Sequence, residues 1–133
     1  MPQMDDIAFY KKDGTTLTKW VAKTPSSGDS TAAQWRVDDA STVAIGRPSL
    51  AMVARFNANK TLRRMTIDLV QPELRTNAVT GAVSVTDKIM ASLTTAIPQN
   101  IDDSRIDDFV NMLVNTISSD KVRECIRSGY SAS

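Results

Sequence analysis

The sequence has no histidine, one cysteine and five scattered glycines in 133 residues, and each scarcity removes a class of function. Without histidine there is no side chain that ordinarily exchanges protons near neutrality, no imidazole metal ligand, and no Cys–His or Ser–His nucleophile. A Ser–Lys pair has no supporting motif. The glycines build neither GxGxxG nor GxxxxGK[ST], so no phosphate-cradling loop is present. Cys125 is alone; it closes no internal disulfide and reads as a small, apolar-behaving thiol. No apolar run approaches the roughly 20 residues that cross a bilayer. The start, MPQMDDIAFYKK, lacks the basic-then-apolar pattern of a secretory signal. Paired aspartates occur at Asp5-Asp6, Asp38-Asp39, Asp102-Asp103 and Asp107-Asp108, but the last two pairs suit the positive end of a helix better than a metal. The expectation is a non-enzymatic chain with no cofactor, no metal and no membrane span.

What is present begins with the stretch from Pro48 to Pro72, which alternates with a period of two on both sides of a short polar turn. In its first half Leu50, Met52, Ala54 and Phe56 share a face against Ala51, Val53 and Arg55. In its second half Met65, Ile67 and Leu69 share a face against Arg64, Thr66 and Asp68. That period predicts a hairpin with one apolar and one wetter side. Asn57-Ala58-Asn59-Lys60 supplies residues that tolerate turn backbone angles and bond locally.

Around this centre, Ile7–Lys12 and Thr16–Lys23 read as a first hairpin about Asp13-Gly14. Thr24–Thr31 reads as a loop, Ala33–Asp38 as a short strand with Trp35 and Val37 on one side, and Asp39–Arg47 as looser chain. Pro72 is expected to end its strand because proline cannot donate to a ladder, leaving Pro72–Ala82 as an exposed loop. Strand character resumes over Val83–Ile97, with Ile89, Ala91 and Leu93 facing one way and Met90, Ser92 and Thr94 the other. The period then changes. Ile106, Phe109, Val110, Leu113, Val114 and Ile117 recur at three and four residues, an amphipathic helix capped by Asp102, Asp103 or Ser104. A second helix runs from about Asp120 to Ser128, capped by Ser118 or Ser119 and stopped at Gly129.

Strands followed by helices predict one α+β domain over residues 1–133: an N-terminal hairpin (1–24), an antiparallel sheet (33–97) and two C-terminal helices (102–129). Two short helices are too little to cover the whole apolar face of such a sheet, which predicts an obligate dimer with Phe109, Val110, Leu113 and Ile117 in its core. The net charge of +1 is unevenly spread. Residues 47–98 carry seven basic and three acidic side chains, and the segments on either side are net negative. Arg55, Arg64, Thr66, Lys88, Ser92 and Thr94 therefore define a polar, basic sheet face suited to a polyanion, with arginines for phosphates and hydroxyls for backbone or bases. An RNA-binding sheet normally offers an aromatic for stacking; this face offers Met90.

In order and spacing over nearly the whole chain, the sequence resembles the coat proteins of the single-stranded RNA bacteriophages (leviviruses). The likeness is carried by Ala33-Gln34-Trp35, by Arg63 to Pro72, by Leu93 to Pro98, and by the small-residue terminus SGYSAS. It implies a dimer whose two sheets join edge to edge, each chain's helices lying across its partner's sheet. It further implies assembly into an icosahedral shell in the virion, packaging of viral single-stranded RNA on the inner sheet face, and a phage maturation protein as a partner. Replicase translation would be repressed through an RNA hairpin. The loop with Pro72, Arg75, Asn77 and Gly81 would cluster at the symmetry axes between dimers. Arg55, Arg64, Thr66 and Ser92 fall on RNA-contacting positions of that family. Three residues depart from it: Met90 stands for a base-stacking tyrosine, Asp68 for a lysine, and Ala51 for a threonine lining an adenine pocket. The alternative reading is a dimeric RNA-binding translational repressor that forms no shell.

Overall fold

The computed structural model describes residues 3–11, 15, 17–38 and 44–132, so the Asp13-Gly14 turn and residues 39–43 of the looser segment lie outside the described residues. The chain divides into two compact units, Met1–Ala96 and Ile97–Ser133.

The first unit is built on β1 (Ile7–Tyr10), β2 (Leu17–Thr24), β3 (Ala33–Arg36), β4 (Ser49–Phe56), β5 (Leu62–Thr76) and β6 (Val83–Pro98, its last two residues crossing into the second unit). These form one six-stranded sheet in sequence order. Neighbouring strands run antiparallel from β1 through β5. β2 serves two partners: Leu17–Trp20 pair with β1, and Val21–Thr24 pair with β3 across a bulge between Ala22 and Thr24. A bulge adds local twist to the strand that carries it. In the β1–β2 ladder Phe9 and Trp20 are diagonal neighbours, their rings 5.5 Å apart.

The central hairpin forms as its alternation dictates. Leu50 lies opposite Leu69, Met52 opposite Ile67 and Ala54 opposite Met65, while Val53 lies opposite Thr66 and Arg55 opposite Arg64. The tip is organised by Asn57, whose side-chain oxygen accepts from the N–H groups of Thr61 (2.8 Å) and Leu62 (3.1 Å). Lys60 adopts φ 54° there. Beside the tip the Arg63 guanidinium lies 4.4 Å over the Phe56 ring.

The core of this unit is Trp20, Ala33, Trp35, Val37 and Leu50, bordered by Met4, Phe9, Ala22, Met52, Ile67 and Leu69. The Trp35 indole N–H donates to the backbone carbonyl of Asp5 at 2.9 Å, which gives the buried ring a polar partner and anchors the N-terminal segment. On the loop side, Gly46 ends a short 3-10 turn, Ala44–Gly46, that rests against β5. A Cβ at Gly46 would stand 2.6 Å from Leu74 Cγ, so glycine permits that approach.

One expectation is corrected. Pro72 does not end the strand: β5 runs through Pro72 and Arg75 to Thr76. The pairing of β4 with β5 stops at Ser49–Val70. Beyond it β5 has a strand neighbour on one side, and proline's missing N–H is tolerated where a ladder position is unpaired. The connection to β6 is accordingly short, residues 77–82. Asn77 builds it, its side-chain oxygen accepting from Val79 N–H (2.8 Å) and Thr80 N–H (3.2 Å) and its carbonyl from Gly81 N–H (2.8 Å). Gly81, at φ 72°, takes the backbone conformation that glycine adopts without cost.

The second unit contains α1 (Asp103–Ser118) and α2 (Asp120–Ser128), which contact each other. Asp102 caps α1 through its backbone, its carbonyl accepting from the N–H groups of Arg105 and Ile106, and its side chain makes no cap bond. Ser119 caps α2 with its hydroxyl, and Gly129 closes it in the left-handed conformation. Neither helix buries a residue. Phe109, Val110 and Ile117 remain 43–46% exposed, and Leu113 is half-buried.

Candidate nucleic-acid interface

Because β4 and β5 alternate in register, each row of the sheet's wetter face follows from the pairing. One row sets Arg55 directly opposite Arg64, the next Val53 opposite Thr66, the next joins Gln34, Ala51 and Asp68, and the last joins Arg36 and Ser49 with Val70. β6 completes the Asp68 row, where the Ser92 hydroxyl donates to Asp68 Oδ1 at 2.7 Å. By alternation Lys88, Met90 and Thr94 share that side of β6 with Ser92. The six expected contact residues therefore share one face of one sheet. Met90 is 63% exposed among them, an apolar side chain on an otherwise polar surface.

The arginine pair is the electrostatic centre. Like charges directly opposite on antiparallel strands destabilise a sheet, and both side chains are exposed. Neither guanidinium is in an ion pair among the described residues, since the salt bridges there are Lys19–Asp6, Lys23–Asp38 and Arg47–Asp38. Such a pair is stabilised when an anion binds between the strands.

At the β2 side of the same face, the bulge places Lys23 against Asp38, with Arg47 on the other carboxylate oxygen at 3.8 Å. The Lys23 ammonium, helped by Arg47 and Arg36, holds the Asp38 carboxyl below the usual carboxylate range. Asp6 is lowered too, first by the Ala22 N–H that donates to it at 2.9 Å and then by Lys19. Next to the Asp38 cluster lies a cavity of about 220 Å³, with Lys23, Gln34, Arg36, Ser49, Ala51 and Asp68 among its walls. Sequence reasoning named Ala51 and Asp68 as departures from a family pattern but did not find the cavity. Its signal, two small residues (Ser49 and Ala51) between long ones on neighbouring strands, becomes visible once the register is known.

Of the expected loop residues, Asn77 and Gly81 form the β5–β6 connection, whereas Pro72 and Arg75 belong to β5. The connection lifts Val79 to 93% exposure. Among the described residues no group of three His, Cys, Asp or Glu side chains is arranged to hold a metal, and no helix is long and apolar enough to cross a membrane.

No family model matches the sequence, and no curated protein sequence matches it. Solved structures do. A chain from the virus-like particle of bacteriophage NT-214 superimposes with a TM-score of 0.84 at 18% identity, over 99% of this chain and 100% of that one. A chain from the virus-like particle of Beihai levi-like virus 21 gives 0.81 at 14% identity, over 99% of both chains. The coat protein of bacteriophage EMS014 gives 0.69 at 19% identity, over 85% of this chain and 72% of that one. The chain has the six-stranded antiparallel sheet followed by two helices that these bacteriophage particle and coat-protein chains share.

Proposed function

We propose that the chain is a capsid protein of a levi-like bacteriophage: it dimerises, assembles into a closed icosahedral shell, and holds viral single-stranded RNA on its Arg55–Arg64 sheet face. The observation that carries the shell is the likeness over 99% of the chain to chains from virus-like particles. Two features of the molecule support the dimer. β6 is an edge strand of 16 residues, and a long unpaired edge is a template for another strand. The helices carry an apolar stripe of which no residue is fully buried among the described residues. Joining two β6 edges extends the sheet, and laying each chain's helices on the partner's apolar face covers both exposed surfaces. Phe109, Val110, Leu113 and Ile117 then lie in the shared core, and the 77–82 connection, with Val79 at its tip, meets neighbouring dimers.

On the opposite face, Arg55, Arg64 and Lys88 supply charge to phosphates, and Thr66, Ser92 and Thr94 supply hydroxyls. The whole chain functions as one unit in the virion, with the maturation protein as a further partner and hairpin binding as the route to translational repression. Expression of the full chain followed by electron microscopy tests the central claim. Closed particles containing nuclease-protected RNA are expected. A product that stays a small dimer in the presence of RNA overturns the shell and leaves the repressor reading.

A further inference from the structure

The cavity beside Asp68 has a chemistry that general phosphate binding does not use. Its floor is low because Ala51 and Ser49 are small, and its sides are high because Gln34, Arg36 and Lys23 are long. Across the floor stands a carboxylate. Asp68 takes one hydrogen bond, from Ser92, and among the described residues no cation lies in ion-pair range of it. An ionised carboxylate has about four acceptor positions on two oxygens, so Oδ2 and part of Oδ1 stay open. The Ser92 bond fixes the direction in which they point. A carboxylate repels phosphate, and its place on a face meant for RNA calls for a base that donates.

We propose that this cavity is a guanine-selective nucleotide pocket, in which Asp68 accepts from the base and Lys23 and Arg36 serve its O6 and its phosphate. This rests on the reading of the face as an RNA surface and names the base that it reads. Guanine alone among the four RNA bases presents two adjacent donors, N1–H and the N2 amine, on its Watson–Crick edge, and these match two carboxylate oxygens. Adenine and cytosine set their amine beside a bare ring nitrogen whose lone pair would face the carboxylate. Uracil has a single N–H between two carbonyls. Reading exposed bases on that edge is the usual way proteins recognise unpaired RNA.

The test uses fluorescently labelled single-stranded RNA decamers of uridine with one central guanosine, inosine, adenosine or cytidine, bound to the purified full chain at fixed salt. The guanosine decamer is expected to bind roughly tenfold tighter than the adenosine one, the scale of a good bidentate base contact. Inosine, which keeps N1–H and O6 but lacks the amine, falls between them. Asp68→Asn abolishes the ranking, so that the guanosine decamer then binds no tighter than the adenosine one. The inosine comparison changes the RNA and not the protein, so it holds even if the variant folds poorly. Equal binding of all four decamers overturns the pocket and leaves the RNA face standing. Absence of binding to any of them overturns both.

Discussion

The two units of the chain solve the same problem differently. The sheet unit closes its own core: Trp20, Trp35 and Leu50 are 5–8% exposed, and the buried indole of Trp35 has its hydrogen bond. The helical unit has caps, a stop signal and a regular apolar stripe, yet none of its helix residues is fully buried. Local rules suffice to form a helix, but packing of the apolar face supplies most helical stability in proteins. The proposed dimer accounts for the difference: the sheet is stabilised by contacts inside one chain, and a second chain would supply the packing that the helices lack.

The largest test of that contrast is Leu50→Ala. Leu50 is 5% exposed and sits between Trp35 and Leu69 in the ladder. Its truncation is expected to cost about 2–5 kcal/mol in denaturant unfolding. Leu113→Ala, in the helical stripe, is expected near the low end of that range, about 2 kcal/mol. For a dimer, the unfolding midpoint also depends on protein concentration, and Leu113→Ala steepens the loss at low concentration by weakening association. A midpoint for Leu113→Ala that is independent of concentration would break the distinction between the two units. Arg55→Ala with Arg64→Ala is smaller still. Removing the like-charge pair stabilises the sheet by roughly 0.2–1 kcal/mol, while the RNA recovered per particle falls. Unchanged RNA content would remove these residues from the interface.

The sheet's two-faced hairpin was legible because alternation alone separates Leu50, Met52, Ile67 and Leu69 from Arg55, Arg64 and Thr66, and the register honours it. The α2 boundaries were legible because Ser119 and Gly129 are local signals. Pro72 misled because its effect depends on what lies across the ladder: the pairing of β4 with β5 ends at Ser49–Val70, short of Pro72. The cavity was invisible for the same reason. Gln34, Ala51, Asp68 and Ser92 are spread over four strands, and they become neighbours only when three registers are fixed together.

The smallest expected effect concerns acid, and it locates a weakness inside the sheet unit. Asp6 ties the strands β1 and β2 through the Ala22 N–H and Lys19, and Asp38 ties the end of β3 to the Lys23 bulge and to Arg47. Both carboxyls titrate lower in the folded chain than their ordinary value. A carboxylate whose folded pKa is depressed contributes stability above its unfolded pKa, and that contribution is lost as pH falls through the folded value. The denaturant midpoint is therefore expected to be flat from neutrality to about pH 5 and to decline below about pH 4, near the ordinary aspartate pKa. Both groups are exposed, so salt screens part of the effect and the decline is shallow. Asp38→Asn, measured over the same range, should flatten the acid limb while lowering the neutral plateau slightly. An unchanged acid limb in that variant would assign the decline to other carboxyls and leave the β2–β3 junction held by its backbone ladder alone.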